Sequence, residues 1–437
     1  MNKEVMGIGA VPGKPGLVKV KRSLEKVDSC TVRCSPVAEG QCPTDDAVKN
    51  GVWLLEPAPG QEDLVTSHES LVRADEIIGD KVEEIEVGQY YFEDVRRPRF
   101  MPPPGQKIQR TDMMAAPIAP YFFKTGGLPL QALLAPDFKI GKLPKRQAPW
   151  VEAGIGGADG GLLEKKDIDF RLLQHVPIGP DFPVWAGAFI EPVLALLKAK
   201  SLGDLIHEAL LERAGGELTH PKVAVAGATG GAGLAIVGIY RSLGIETWVI
   251  GRRPHDDPKV LRLVAMGAKY VHLALSPAQE MESACWERYL PFLAEQMGVL
   301  QEGQVGGLRQ LFDLSGNPFW VDQLGLLCGA SGGIVDFAIP AGAHFAGSSY
   351  DGAGIIRQRT VNNTYRVGSV NLCATVDLKE AVRVVQWLVA NHEPILRQSV
   401  RIIDGLDVAD LSDALCDVKN AKPLVFPQGK AAVGWQA

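Results

Sequence analysis

Hydrophobic and polar positions follow two different patterns along the chain. Residues 1–95 contain short alternating or apolar runs, such as those at 17–21 and 29–37, which predict strands separated by turns. From about residue 190 onward, helical spacing and short buried runs alternate, which predicts an α/β fold with a parallel sheet covered by helices on both faces. The predicted helices are at 191–200, 201–211, 233–243, 258–266 and 378–390, and the predicted strands at 222–226, 246–250, 270–273, 311–314 and 333–339.

Two segments interrupt these patterns. Residues 99–150 are rich in proline and basic residues, and because proline can extend neither a ladder nor a helix, they predict a long surface excursion. Residues 277–306 predict a helical insertion. Both segments are therefore expected to be additions to an otherwise regular chain.

The composition is that of a globular protein without a nucleic-acid or membrane partner. Of the 437 residues, 46% are hydrophobic and 22% are charged, which excludes a disordered chain. The net charge of -6 disfavours a broad nucleic-acid or anionic-membrane surface, and no apolar run reaches the roughly 18 residues of a membrane span. Seven scattered cysteines, and a start without an apolar signal core, predict a cytoplasmic protein without a disulfide framework.

A glycine-rich turn between a buried strand and a helix is the clearest chemical signal. Gly227, Gly230 and Gly233 form a G-x-x-G-x-x-G pattern, one residue longer than the G-x-G-x-x-G of dinucleotide-binding folds. Gly227 would allow the turn, Gly230 would let the backbone approach a pyrophosphate, and Gly233 would allow close packing of helix and strand. The pattern predicts a dinucleotide site, and the alternative is a similar turn without a ligand. The residues of the predicted site are Gly227, Thr229, Gly230, Gly231, Ala232 and Gly233.

The residues after the next strand discriminate between NAD and NADP. NAD sites place a carboxylate there, which accepts hydrogen bonds from the ribose hydroxyls, whereas this chain has Arg252 and Arg253. Two guanidiniums attract a 2′-phosphate and can bind it through paired hydrogen bonds. The arginines therefore favour NADP as cofactor, and the alternative is a pair of solvated surface side chains.

Side chains suited to zinc ligation stand at four positions. Cys42 and His68 supply a thiolate and an imidazole, which bind zinc well if a third ligand joins them and one coordination position stays open. Glu69 and Glu191 are the candidates for the carboxylate ligands. Spacing alone does not settle the matter, because a cysteine and a histidine 26 positions apart are more often a buried thiol and a hydrogen-bonded imidazole.

The order of the motifs resembles that of a known enzyme family. In chain order they are Cys-Pro-Thr-Asp at 42–45, His-Glu at 68–69, Val-Arg-Arg-Pro at 95–98, Ala-Asp-Gly at 158–160, Glu-Pro at 191–192, the glycine-rich turn, Ser-Gly-Asn-Pro at 315–318 and Val-Gly-Ser-Val-Asn at 367–371. Together they resemble the glucose dehydrogenase branch of the medium-chain, zinc-dependent alcohol dehydrogenase superfamily, over residues 5–95 and 150–437.

This resemblance implies two domains with the active site in the cleft between them. A mainly β, GroES-like catalytic domain would comprise residues 1–195 and 366–437, with the excursion at 99–150. A Rossmann-type, doubly wound dinucleotide domain would comprise residues 196–365, with the insertion at 277–306. Relatives form oligomers through the cofactor domain, so a homodimer or homotetramer is expected.

The resemblance also implies a role for each candidate residue. Cys42 and His68 would bind one catalytic zinc, and Glu69 and Glu191 would be ligands or exchange with water. Thr44 would contact the reacting hydroxyl, and Asn371 would lie near the nicotinamide carboxamide. Arg252 and Arg253 would hold the 2′-phosphate of NADP. No structural zinc is expected, because Arg99 replaces the first of four cysteines and no cysteine occurs between positions 43 and 284.

Departures from the family pattern keep three functions open. Pro43 and Ser67 stand where the family has glycines, and Gln89 replaces an acidic residue. The leading hypothesis is a zinc-dependent oxidoreductase that transfers hydride between NADP(H) and a sugar, polyol or other alcohol or carbonyl substrate. The alternatives are a zinc-independent enzyme of the quinone-reductase type and a non-catalytic NADPH-binding or assembly subunit.

Overall fold

The computed structural model describes most of the chain, in which two compact units are found. The units are Met1–Leu194 with Leu372–Ala437, and Ala195–Asn371. The described residues are 3–24, 29–51, 57, 60–94, 96–98, 101–106, 108, 150–154, 157–179, 182–214, 222–276, 278–299, 307–315, 317–337, 365–368, 378–418, 420–429 and 435. Asn371 and most of the 99–150 segment lie outside them.

Short strands dominate the first part of the chain. They are β1 (Lys3–Ala10), β2 (Leu17–Leu24), β3 (Thr31–Gly40), β4 (Leu64–Val65), β5 (Glu69–Ile77), β6 (Tyr90–Glu93), β7 (Arg96–Pro98), β8 (Trp150–Ala153), β9 (Gly157–Ala158), β10 (Lys166–Asp169) and β11 (Leu173–His175), with helix α1 (Pro43–Lys49) after β3. One 3₁₀ turn, Phe170–Leu172, lies between β10 and β11, and another, Val184–Phe189, follows β11.

Strands and helices alternate through the second unit, and the chain ends with two helices and two strands. The elements are α2 (Ile190–Ala214), β12 (Lys222–Ala226), α3 (Gly231–Ser242), β13 (Glu246–Gly251), α4 (Pro258–Ala265), β14 (Lys269–His272), α5 (Ser283–Gln296), β15 (Leu308–Asp313), α6 (Pro318–Leu324), β16 (Cys328–Asp336), β17 (Tyr365–Gly368), α7 (Leu378–Gln398), β18 (Val400–Asp404), α8 (Val408–Cys416) and β19 (Lys422–Phe426). Further 3₁₀ turns lie at Gln279–Met281 and Gly325–Leu327.

The second unit contains a six-stranded sheet in the order β14-β13-β12-β15-β16-β17, and all of its pairings are parallel. Numbered along the unit, this is the 3-2-1-4-5-6 order of dinucleotide-binding folds. Its core includes Trp286, Leu293 and Met297 from α5 and the residue that follows it. The mixed α/β fold predicted from the sequence is confirmed.

The largest sheet of the first unit positions the candidate metal ligands. Its strands run in the order β11-β6-β5-β3-β19-β18, and β10 also pairs with β3. At the end of β3, Gly40 pairs with Glu69 of β5 on one side and with Leu424 of β19 on the other. Residues just after β3, at the start of β5 and at the start of β19 therefore meet at one edge of this sheet.

One long helix replaces two that were predicted. The sequence indicated separate helices at 191–200 and 201–211, but α2 continues through Gly203 to Ala214. Lys200 and Asp204 form an ion pair one turn apart across the expected break. A Cβ at Gly203 would lie 2.1 Å from the side-chain nitrogen of Gln310, so this glycine permits close packing rather than ending the helix.

Among the described residues, every helix falls short of the combined length and apolar character that crossing a bilayer requires.

Candidate metal centre and nucleotide site

The structure brings Cys42, His68 and Glu69 into one cluster. One potential ligand atom from each lies within 4.8 Å of the others. Cys42 Sγ and His68 Nε2 are 3.5 Å apart. Typical Zn–S and Zn–N bond lengths in a tetrahedral site place these two atoms about 3.5 Å apart. The pair therefore has the separation of two ligands of one zinc ion.

The start of α1 explains why proline is tolerated next to Cys42. Pro43 is the first helical residue, a position at which the missing N–H has no intrahelical partner in any case. The backbone N–H of Cys42 donates to Asp45 Oδ2 at 2.8 Å and so fixes the entry into the helix. Thr44 lies half-buried in the first turn of this helix. The departure at Pro43 is thus compatible with the local backbone.

One nitrogen of the His68 imidazole lies near an oxygen of Asp45 without forming a hydrogen bond to it. Within the described part of the chain, neither His68 Nδ1 nor Asp45 Oδ1 has a hydrogen-bond partner, although both are buried. The two atoms are 3.9 Å apart, which is close enough for Asp45 to orient the imidazole after a small adjustment. Although Cys42 as a whole is half-buried, removal of its thiol from water raises its pKa. Metal binding there must consequently displace a proton.

Glu69 is compensated by a lysine from the other end of the chain. Lys422, the first residue of β19, is buried and its Nζ donates to Glu69 Oε2 and, at 3.3 Å, to the carbonyl of Gln41. Burial alone would lower the pKa of Lys422, but Glu69, with Cys42 and Glu191, raises it. The lysine therefore stays charged and neutralises a carboxylate beside the two candidate ligands.

Glu191 lies near this cluster but is not one of its members. It is buried near the N-terminus of α2. Its charge contributes to the raised pKa of Lys422. A role as a ligand would require it to approach the cluster more closely than it does here.

Buried polar groups hold the backbone just before His68 in place. Ser67 adopts a left-handed backbone conformation with φ 78, and its hydroxyl donates to Glu39 Oε2 at 2.8 Å. A Cβ at Gly160 would lie 2.1 Å from the carbonyl oxygen of Ser67, so the Ala-Asp-Gly motif allows this close approach. Burial raises the pKa of Glu39 to about 8. A glycine would adopt this left-handed conformation more readily than Ser67 does. The serine instead gains a hydrogen bond from its hydroxyl to Glu39.

The glycine-rich turn has the geometry that its sequence predicts. Gly227 has φ 77, and α3 begins at Gly231 with Gly230 as its N-cap. A Cβ at Gly233 would lie 1.8 Å from the carbonyl oxygen of Ala228, so only glycine fits there. The remaining candidates, Thr229 and Ala232, are half-buried at the same helix N-terminus. A helix N-terminus with free backbone N–H groups suits a pyrophosphate.

Both arginines after β13 are paired with carboxylates. Arg252 pairs with Glu280, and Arg253 pairs with Asp257 at 2.8 Å. Ion pairing does not discriminate between a phosphate site and a pair of surface arginines, because the two side chains remain 45% and 40% exposed. Their net charge is balanced locally, so any selectivity for a phosphate must come from directed hydrogen bonds rather than from excess positive charge.

Sequence reasoning missed Lys422 and Glu280. Lys422 begins an apolar strand, and only the pairing of β19 with β3 reveals that it reaches Glu69. Glu280 lies in the insertion, where no motif marks it. Asp45 belongs to the Cys-Pro-Thr-Asp motif, and its position three residues after Cys42 was a usable signal for a capping and orienting role.

Comparisons with known proteins find similarity to dehydrogenases. No family model matches the chain. It is 25% identical over 369 residues to glucose 1-dehydrogenase 1 of Caldivirga maquilingensis, covering 84% of this chain and 83% of that protein. Its structure is similar to Haloferax mediterranei glucose dehydrogenase in complex with NADP, Zn and gluconolactone, with TM-score 0.66, 18% identity and 96% and 99% of the two chains covered.

A further similar structure is 2R,3R-butanediol dehydrogenase from Bacillus subtilis, with TM-score 0.64, 16% identity and 97% and 99% of the two chains covered. At these identities the solved structures show a shared fold, a Rossmann-type unit combined with a GroES-like one. The sequence comparison confirms the resemblance to the glucose dehydrogenase branch of the zinc-dependent medium-chain dehydrogenases, and the chain has the fold of that superfamily.

Proposed function

We propose that this protein is a zinc-dependent oxidoreductase that transfers hydride between NADP(H) and a sugar, polyol or other alcohol or carbonyl substrate. The observation that carries the proposal is the 3.5 Å separation of Cys42 Sγ and His68 Nε2 beside Glu69. The similarity to glucose dehydrogenases supports it, because one of those structures binds NADP, Zn and gluconolactone.

The donor set fits zinc. Cys42 and His68 would hold the ion, Glu69 or Glu191 would supply a carboxylate, and a position would stay open for substrate or water. When bound, zinc would supply Lewis acidity and the nicotinamide cofactor would supply the redox chemistry. The chain's own groups then control geometry and protons.

Three groups of the first unit would tune this site. Asp45 would orient the His68 imidazole from the Nδ1 side once the 3.9 Å gap between Nδ1 and Oδ1 closes to a hydrogen bond. Lys422 offsets the charge of Glu69, so that the cluster does not carry an excess of buried negative charge. Thr44, in the first turn of α1, would hold and pass on the proton of the reacting hydroxyl.

The second unit would bind the dinucleotide. Backbone N–H groups of Gly230, Gly231 and Ala232 would face the pyrophosphate at the N-terminus of α3. Arg252 and Arg253 would donate hydrogen bonds to the 2′-phosphate. Asn371 is proposed to lie near the nicotinamide carboxamide, on the strength of the motif at 367–371 alone.

Several finer assignments belong to the same proposal. The catalytic domain would comprise residues 1–195 and 366–437, and the dinucleotide domain residues 196–365. A homodimer or homotetramer is proposed from the family resemblance, and a cytoplasmic location from the number and scatter of the cysteines. Glucose is the first substrate to test, because two of the relatives named above are glucose dehydrogenases.

The experiment combines metal analysis with a hydride-transfer assay. Purified wild type is expected to contain zinc and to reduce NADP⁺ with a substrate from a panel of aldoses, polyols and diols. Cys42→Ser and His68→Ala should lose zinc, and turnover should fall by about 10²–10³-fold, since metal catalysis supplies several kcal/mol. Cys416→Ser and His175→Ala, which change exposed residues, are the matched controls.

Other outcomes would point to the alternative functions. Unchanged zinc content and turnover in both ligand variants would contradict the proposal. Activity on activated alkenes that resists chelators would favour the quinone-reductase type. Tight NADPH binding without turnover on the whole panel would favour a non-catalytic subunit.

A further inference from the structure

The segment between β14 and β15, which the sequence predicted to be a helical insertion, places a buried carboxylate beside one of the two arginines. Glu280 lies in the 3₁₀ turn Gln279–Met281, and its side chain is only 2% exposed. Arg252 Nε donates to Glu280 Oε1 at 2.6 Å, and Arg252 Nη2 donates to Oε2. Asn317 Nδ2 also donates to Oε2, at 3.1 Å. The two carboxylate oxygens of Glu280 therefore accept paired hydrogen bonds from one edge of the Arg252 guanidinium.

The position of Glu280 is set by the core of the unit. Trp286 of α5 is 1% exposed, and its Nε1 donates to the backbone carbonyl of Glu280 at 2.8 Å. Trp286 belongs to a hydrophobic core cluster of this unit. The backbone of this turn is thus anchored to the packed core of the unit. The Glu280 carboxylate therefore stays in place when the Arg252 side chain moves.

The guanidinium of Arg252 is held on more than one side. Its Cζ lies 5.1 Å from the centre of the Trp320 ring, which is a favourable cation–π distance. The backbone carbonyl of Arg252 accepts a hydrogen bond from His272 Nε2 at 3.0 Å. In the part of the chain that the structure describes, Nη1 has no hydrogen-bond partner, and the side chain is 45% exposed. One edge of the guanidinium is consequently pinned and the other faces outward.

We propose that Glu280 is a positioning residue that fixes Arg252 against Trp320, so that the outer edge of the guanidinium receives the 2′-phosphate of NADP(H). This inference rests on the proposed function. Glu280 acts through Arg252, because its own carboxylate is buried and already accepts from Arg252 and Asn317. It gives the insertion a role in cofactor choice, which the sequence did not assign.

The test measures binding of nucleotide fragments, and so needs no turnover. Adenosine 2′,5′-bisphosphate and 5′-AMP differ in the 2′-phosphate, and NADPH and NADH differ in the same group. Glu280→Ala should weaken binding of the bisphosphate and of NADPH by about tenfold, the value of one charge-assisted hydrogen bond. Binding of 5′-AMP and NADH should stay unchanged. Glu280→Gln, which keeps one acceptor oxygen, should show a smaller loss of the same kind.

Two further variants separate positioning from general damage. Glu287→Gln changes an exposed carboxylate of α5 and should leave all four affinities unchanged. In an Arg252→Gln background, Glu280→Gln should cause no additional loss, because residues that act through one another are non-additive. Thermal melting of each variant confirms that it is folded.

Three outcomes would overturn the inference. Equal weakening of 5′-AMP and bisphosphate binding in Glu280→Gln would show a purely structural role. Tighter bisphosphate binding would show that Glu280 competes with the phosphate. If both Glu280 variants keep the wild-type preference for the 2′-phosphorylated nucleotides, Glu280 has no role in positioning Arg252. Wild-type protein that does not prefer NADPH to NADH would instead contradict the proposed cofactor.

Discussion

The metal cluster and the nucleotide turn are built in opposite ways. The turn is continuous in sequence, because β12, Gly227 and α3 follow one another directly. The metal cluster joins Cys42, which precedes α1, to His68 and Glu69 at the start of β5, and Lys422 of β19 reaches Glu69 because β3 pairs with both strands. In both places one charge is balanced by a residue from elsewhere in the chain, Glu69 by Lys422 and Arg252 by Glu280. The comparison shows that a local motif can specify backbone geometry. It does not indicate which residues neutralise the charged side chains of the site.

Removing Lys422 should cause the largest loss of stability. Lys422→Met leaves Glu69 buried without its cation, and breaking a buried ion pair from one side costs about 3–5 kcal/mol. Adding Glu69→Gln removes the stranded charge, so the double variant should recover most of the loss. Chemical unfolding of the metal-free proteins measures the free energy of unfolding.

A surface pair provides the control for this prediction. Lys21 and Glu4 form an ion pair with both side chains about two-thirds exposed, so Lys21→Met should change stability by less than about 1 kcal/mol. If Lys422→Met and the double variant lose equal stability, the lysine contributes packing rather than charge.

The nucleotide region was largely predictable because its signals are local. Buried apolar runs, a glycine pattern and helical spacing lie side by side between Lys222 and Ser242, and the structure places a strand, a turn and a helix there. The prediction failed at α2, where separate helices at 191–200 and 201–211 were expected but one helix continues through Gly203, which packs closely against Gln310.

The metal site was predictable only through resemblance. Nothing in the spacing of Cys42, His68 and Glu69 indicates that they converge, because convergence depends on the register of β3, β5 and β19. Lys422 and Glu39 carry no local signal, since a charged residue in an apolar strand is usually assigned to the surface. Their roles follow from burial and pairing, which require coordinates.

Glu39 should make stability depend on pH. Burial raises its pKa from 4.5 to about 8, although hydrogen bonds from Ser70 and Ser67 and the charge of Lys166 oppose the rise. Because the pKa of Glu39 is higher in the folded than in the unfolded state, its contribution to the free energy of unfolding is largest below pH 4.5. This contribution is lost as the pH rises through about 8. Within that window the loss is about 1.4 kcal/mol per pH unit.

Glu39→Gln isolates this effect from other titrating groups, including the nearby Glu93. The glutamine does not ionise, so the variant should gain stability relative to wild type as the pH rises from 5 to 8, by about 1.4 kcal/mol per unit. Unfolding curves across this range measure the difference. A constant difference would mean that Glu39 does not titrate in the window.

Substitutions at Ser67 should change stability least. The ranking of the glycine and alanine variants should be the reverse of that at a serine in a helix. Its φ of 78 lies in the left-handed region, so Ser67→Gly should be more stable than Ser67→Ala by about 1 kcal/mol. Both variants lose the hydroxyl bond to Glu39, so the comparison isolates the backbone. At Ser242, which ends α3, alanine should instead be the more stable of the two, and the same ranking at both positions would contradict the assignment of strain to Ser67.

X-ray absorption at the zinc edge tests the central claim, that Cys42 and His68 bind one ion, most directly. Wild-type protein should bind one zinc per chain with a sulfur at about 2.3 Å and nitrogen or oxygen at about 2.0–2.2 Å. In Cys42→Ser the sulfur contribution should disappear, while Cys416→Ser should keep it. A zinc environment without sulfur in wild type, or with unchanged sulfur in Cys42→Ser, would contradict the account.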